Sequence, residues 1–131
     1  MSIEVDLTKL AEALADYSYA YLLTAGDTGT PHAVAVTPHL TAEGLVVEGL
    51  GRRSAANAAG RAAVAMVWPP SAPGGYSLIV DGTASVATTD GDGRSTVVVS
   101  PTRAVLHRPA PSQGADAARE GGCGSDCVPL S

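Results

Sequence analysis

Along most of the chain, apolar residues either alternate with polar ones or run unbroken for a few positions, and turn residues separate the runs. The first stretch alone has helical spacing. Leu7, Leu10, Leu14 and Tyr17 recur three and four apart behind Asp6, whose carboxylate can accept a first-turn amide hydrogen. This predicts an amphipathic helix lying on one end of a barrel. Residues 19–25 (YAYLLTA) and 32–37 (HAVAVT) read as two strands around the turn GDTGTP. Pro38 ends or kinks the second of them at a sheet edge. Gly44 stands at the fourth position of a turn over 41–44, and residues 45–49 make the next strand.

Residues 55–59 are alanine-rich and suit a short helix, and the apolar run 63–68 is short enough to be a buried strand. The segment 69–75 (PPSAPGG) is a surface loop. Residues 76–86 (YSLIVDGTASV) form a strand broken at Asp81-Gly82. That dipeptide is either a tight hairpin turn or a bulge in one bent strand. The bulge is preferred, because SLIV and TASV together give one barrel-length strand. A turn at 90–93 (DGDG) leads to strands at 96–100 and 102–107, with Pro101 between them. One N-terminal helix, about six strands with short connections (the two segments around Pro101 together completing the sheet) and one short crossover helix describe a mainly β chain. The spacing suggests a small antiparallel barrel, closed or partly open.

The chemistry concentrates at the corner after the third strand, within LVVEGLGRRSAANAAGRAAVAMVW. Gly49 and Gly51 break the strand, and Arg52, Arg53 and Ser54 follow at once. Ser54 is placed to cap the short helix, with Gly60 and Arg61 suited to its end. Two guanidiniums, a hydroxyl and a helix N-terminus at one corner can bind a phosphate. The plainer reading is a solvated arginine pair, or one paired with Glu48. Neither a GxxxxGK[ST] loop nor a GxGxxG after a strand occurs.

Composition narrows the field. With 131 residues, 45% of them hydrophobic, the chain suffices for one domain with a core. A net charge of −5 argues against nucleic acid as a partner, and no apolar run is long enough for a membrane-spanning helix. The acidic start MSIEVDLTKL lacks a secretory signal pattern, so the expected compartment is the cytoplasm. His32, His39 and His107 have no metal-ligand spacing, and no metal site is expected. Trp68, followed by two prolines, reads as a plug at a barrel end. The expected domain covers 1–110, and 111–131 is a glycine-, alanine- and proline-rich tail without apolar periodicity. Its Cys123 and Cys127 lie four apart, which misses the C-x-x-C redox spacing.

The helix, the hairpin YLLTAGDTGTPHAVAV, the segment EGLGRRSAANAAGRAAVAMVW and the strand SLIVDGTASV together resemble the pyridoxamine 5′-phosphate oxidase-like, FMN-binding split-barrel family. The resemblance covers about residues 5–108. It implies a six-stranded antiparallel split barrel, a homodimer whose two subunits build each site, and FMN or a deazaflavin (coenzyme F-420) as cofactor. Carried over residue by residue, Arg52, Arg53, Ser54 and Asn57 would grip the cofactor phosphate, and Thr37 and Pro38 would lie near the isoalloxazine edge. Two departures stand out. Ser54 occupies a place where many relatives have a lysine, and the chain is shorter than the oxidase proper, with His107-Arg108 a faint echo of its substrate-reading residues. The expectation is therefore a flavin- or deazaflavin-dependent oxidoreductase that transfers a hydride to or from a small organic substrate, and not a true pyridoxamine 5′-phosphate oxidase. No catalytic residue is assigned, in keeping with chemistry supplied by a cofactor. The rival is a non-catalytic carrier of FMN, haem or another anionic small molecule.

Overall fold

The computed structural model describes residues 1–110. The expectation of a separate tail, with Cys123 and Cys127, lies outside the described residues. Strand β1 (Ser2–Val5) is followed by a 3-10 turn (Leu7–Lys9) that runs into helix α1 (Leu10–Leu14). Then come β2 (Ala20–Ala25), β3 (Pro31–Val36), β4 (His39–Thr41) and β5 (Gly44–Leu50). Helix α2 (Arg52–Gly60) and strands β6 (Ala63–Trp68), β7 (Ser77–Thr89) and β8 (Ser95–His107) complete the described chain. The sheet runs β3-β2-β6-β7-β8-β5-β4, with β1 also paired to β8, and its pairings are antiparallel. Among the described residues, no helix is long and apolar enough to cross a membrane.

The period-two pattern of the strands explains the core. Leu22, Met66, Val80 and Ala104 are register partners in turn across β2, β6, β7 and β8, and each is at most 1% exposed. One row of inward side chains thus crosses four strands. Leu45, Leu78, Val97 and Val99 extend it, and Trp68 is buried at the end of β6, as the plug expectation requires.

Asp81-Gly82 is passed by a single strand of thirteen residues, as the bulge reading predicts, but the extra residue sits in the partner. Asp81 faces Arg103 and Gly82 faces Pro101, so Thr102 is left over, and its hydroxyl donates to the Asp81 carbonyl at 3.1 Å. Pro101 is accommodated within β8 because it adjoins this bulge. At Gly82 the backbones approach so closely that a Cβ would stand 2.7 Å from the Ser100 carbonyl oxygen.

Other expectations are corrected in detail. Two short strands, β1 and β4, join the six expected from the pattern. β1 is visible only through its partner: Ser2 to Val5 face His107 to Ala104, and the N-terminal ammonium donates to the Arg108 carbonyl at 3.0 Å. β4 forms a tight hairpin with β5 across the 41–44 turn. Asp6 does cap the first helical segment, accepting from the Thr8 amide at 3.0 Å, and these bonds hold its carboxyl below the usual range. The helix stops before Tyr17, however, since bonds from Asp16 to Ala13 and from Tyr17 to Leu14 tighten the chain into turns. Ser54 does not cap α2. Gly51 is the N-cap, in extended conformation, and its carbonyl receives the Ala55 amide at 3.0 Å.

α2 packs Ala55 and Ala58 on the core, and the Asn57 side-chain amide donates to the buried Thr24 hydroxyl of β2 at 3.1 Å. Replacing Asn57 by Ala strands that hydroxyl and is expected to cost about 1–3 kcal/mol in urea unfolding. An unchanged midpoint would leave Asn57 free for a ligand instead. Gly82→Ala is expected to cost about 1–3 kcal/mol by overpacking. Gly91→Ala, where nothing lies within 4 Å of the added methyl, should change stability by no more than about 0.5 kcal/mol. Equal midpoints for the two glycine variants would mean that β7 and β8 have room to part at Gly82.

Candidate functional site

β3 and β4 are the two ends of the sheet order, joined in sequence only by Thr37 and Pro38. Beside β3 the barrel opens into a cavity of about 460 Å³, walled by β3 on one side and by the end of β5 and the start of α2 on the other. Its size falls in the range of small-molecule sites. His32, Val34, Ala35, Val36 and Thr37 come from the β3 side. Glu48, Gly49 and Leu50 come from β5, and Gly51, Arg52, Arg53 and Ser54 from the corner.

A bulge makes that corner. Val47 faces Val97 and Leu50 faces Ser95, so β5 carries one residue more than β8 across this span. Gly49 absorbs it at φ +69°, a conformation that favours glycine. Leu50 thereby returns to the core at 4% exposure, and the chain enters α2 with its first turn lining the cavity. Because the N-cap is glycine, no cap side chain occupies the amides of that turn. Those amides, the Ser54 hydroxyl and two exposed guanidiniums form a donor set suited to a phosphate.

The structure adds a third guanidinium. Arg94, at the end of the β7–β8 turn, lines the same cavity, and its Nη1 donates to the Gly49 carbonyl at 3.3 Å. The turn is held rigidly: the Asp90 carboxylate accepts from the amides of Asp92 (2.8 Å) and Arg94 (3.0 Å). In the sequence Arg94 is a lone cation just after DGDG, about forty residues past the arginine pair, so nothing local linked the two. His32 and Glu48 are the other ionisable side chains of the lining.

Of the residues expected at the site, Thr37, Arg52, Arg53 and Ser54 are brought together on this cavity. Pro38 lines a different hollow, with Trp68, His39 and Leu40 beneath α1, and the Asn57 amide is turned to Thr24. His107 and Arg108 do not line it either. The His107 Nδ1 lies 3.0 Å from the Ser2 hydroxyl, and the Arg108 guanidinium sits 4.5 Å over the Tyr76 ring. Among the described residues, no group of three or more His, Cys, Asp or Glu side chains could hold a metal ion.

No protein-family model matches the chain. Two proteins of uncharacterized function, from Mycobacterium bovis and Mycobacterium tuberculosis, are each 46% identical over 98% of this chain and 96% of their own. Among solved structures, a Listeria innocua protein carried as a candidate pyridoxamine 5′-phosphate oxidase superposes with a TM-score of 0.63 at 15% identity, over 77% of this chain and 98% of its own. An F-420 reductase gives 0.57 at 22% identity over 71% and 94%, and HutZ, the haem storage protein of Vibrio cholerae, gives 0.60 at 14% over 75% and 91%. At these identities the likeness is one of fold, and it agrees with the antiparallel barrel and two short helices described above. The chain belongs to one family with the mycobacterial proteins, and its fold is that of the pyridoxamine 5′-phosphate oxidase-like split barrels.

Proposed function

We propose that this protein is a flavin- or deazaflavin-dependent oxidoreductase, holding FMN or coenzyme F-420 in the cavity between β3 and α2. The observation that carries this reading is the donor set at the corner: Arg52, Arg53, Ser54 and the uncapped first-turn amides of α2 line one cavity. Its chemistry suits the phosphate of such a cofactor. The bound cofactor would supply hydride transfer to or from a small organic substrate. The chain's own part is to bind and to exclude water. Arg52, Arg53 and Ser54 would hold the phosphate, Thr37 would offer a hydroxyl at the end of β3, and Val34, Val36 and Leu50 would provide an apolar wall. Glu48 and His32 are the lining groups able to exchange a proton. Pyridoxamine phosphate is not the proposed substrate, because His107 and Arg108 are engaged away from the cavity. The reading keeps the protein in the cytoplasm, without a nucleic-acid or membrane partner.

A second reading has one observation in its favour. The imidazole of His32 lines the cavity, and a haem carrier would use such a group to ligate iron. HutZ, with the same fold, is described as a haem storage protein. Absorption spectra of the purified protein titrated with FMN, F-420 and haem separate the two readings. In the enzyme reading, Arg52→Ala/Arg53→Ala weakens flavin or deazaflavin binding by about two to four orders of magnitude, since each charge-assisted bond contributes roughly 1.5–3 kcal/mol. Stability should change by only about 0–1 kcal/mol, because both side chains are exposed. Equal affinities in wild type and double variant would remove the phosphate site. Haem binding that depends on His32, with no flavin binding, would leave the carrier.

The same reading includes a two-fold homodimer. Tyr19, just before β2, and Tyr21 and Leu23 on the outer face of β2 stand 37–41% exposed. In register beside them lie Ala33 and Ala35 of β3 and Ala65 and Val67 of β6. Contiguous outward apolar surface of this kind marks an interaction face. Ala35 also lines the cavity, so a second copy seated here would help to wall it. Light scattering at micromolar concentration should give the dimer mass. Tyr21→Glu together with Leu23→Glu should give a folded monomer, and a wild-type monomer would overturn the assignment.

A further inference from the structure

The cavity has a neighbour at the α2 corner. Past Arg52 a second hollow of about 350 Å³ is lined by Gly51, Arg52, Asp92, Gly93 and Arg94. Gly51, Arg52 and Arg94 line both spaces, so the two hollows adjoin, with guanidiniums between them. Gly93 makes this possible. It has φ +82°, and a Cβ there would fall within 3.0 Å of three atoms of the Arg52 guanidinium. Without that side chain, Arg52 lies across the β7–β8 turn and serves both hollows. Arg94 is fixed on the other side by its bond to the Gly49 carbonyl, which uses one of the five donors of its guanidinium.

A single phosphate is already matched by Arg53, Ser54 and the first-turn amides, with Arg52 as a shared neighbour. A third arginine on a rigid turn goes beyond that need, and like charges gathered at one place repel unless an anion lies among them. Asp92 lines the second hollow and Glu48 the first, which lowers the positive charge of each without removing it. We propose that Arg94, together with Arg52, holds a second anionic group of the same ligand. The ligand class is then a flavin or deazaflavin nucleotide whose chain continues past the first phosphate, as a diphosphate or as a phosphodiester bearing carboxylates, in preference to FMN. The proposal rests on the reading of the corner as a phosphate site and names the ligand class within it. Arg94 is accordingly the residue that determines cofactor specificity.

The test measures dissociation constants at one fixed ionic strength for orthophosphate, pyrophosphate, FMN, FAD and F-420. Wild type, Arg94→Ala and Arg94→Lys are compared, and thermal midpoints confirm folding. Wild type should bind pyrophosphate at least about tenfold more tightly than orthophosphate, and FAD or F-420 at least about tenfold more tightly than FMN, as one added charge-assisted bond implies. The FAD and F-420 arms tell the diphosphate from the phosphodiester source. Arg94→Ala should abolish these margins, and Arg94→Lys should restore part of them, since the charge returns without the planar fork. If the alanine variant does not fold, the lysine variant carries the comparison. A wild-type protein with no margin, or a margin that survives loss of Arg94, overturns the proposal. A pyrophosphate margin that depends on Arg94, in a protein that binds no flavin or deazaflavin, would support the two-anion site and overturn the cofactor reading alone.

Discussion

β8 is shared by three partners, and that sharing constrains the rest of the molecule. Its thirteen residues pair with β7 along nearly their whole length, with β5 over the first half and with β1 over the second. Such a strand must bend to serve two neighbours on one edge, and the leftover Thr102 opposite Asp81-Gly82 supplies the bend. Gly82 is what allows the backbones to stay close there, since its missing Cβ leaves room for the Ser100 carbonyl. A slip of β8 by one residue at this place would turn Val97 and Val99 from the core toward solvent. The barrel's curvature and its apolar row therefore depend in part on this contact.

The arginine corner arises from a second irregularity of the same kind. Gly49 lets β5 carry an extra residue against β8, so that Leu50 is buried while Glu48 and the start of α2 line the cavity. The long β7–β8 hairpin brings its own turn to the same end of the sheet, where Gly93 receives Arg52 and Arg94 bonds to Gly49. Positive charge is thus collected from two distant stretches of chain, although the protein as a whole carries a net charge of −5. A local cationic site in an acidic protein fits a small anionic ligand better than a polymer, whose binding needs an extended basic surface.

Much of this was legible in the residues alone. The alternation of apolar and polar positions, the DG bulge signal and the glycine-arginine corner are properties of neighbouring residues, and each expresses a local steric or periodic preference. They suffice for an antiparallel barrel with a helical corner, and for bringing Arg52, Arg53 and Ser54 together at that corner. Where local preference was the whole argument, boundaries moved. Gly51 took the cap expected of Ser54, because the bulge at Gly49 delivers the chain to the helix in an extended conformation one turn early.

What needed the folded chain were the partners far apart in sequence. β1 has no signal of its own and exists as a strand because the far half of β8 offers it hydrogen bonds. Arg94 joins the site because a hairpin returns it there, and Asn57 is turned from the cavity because Thr24, thirty-three positions earlier, needs a donor inside the core. Periodicity records which face of an element is buried, but not which other element will cover it. That choice is made by register between strands, where one residue of shift decides what meets.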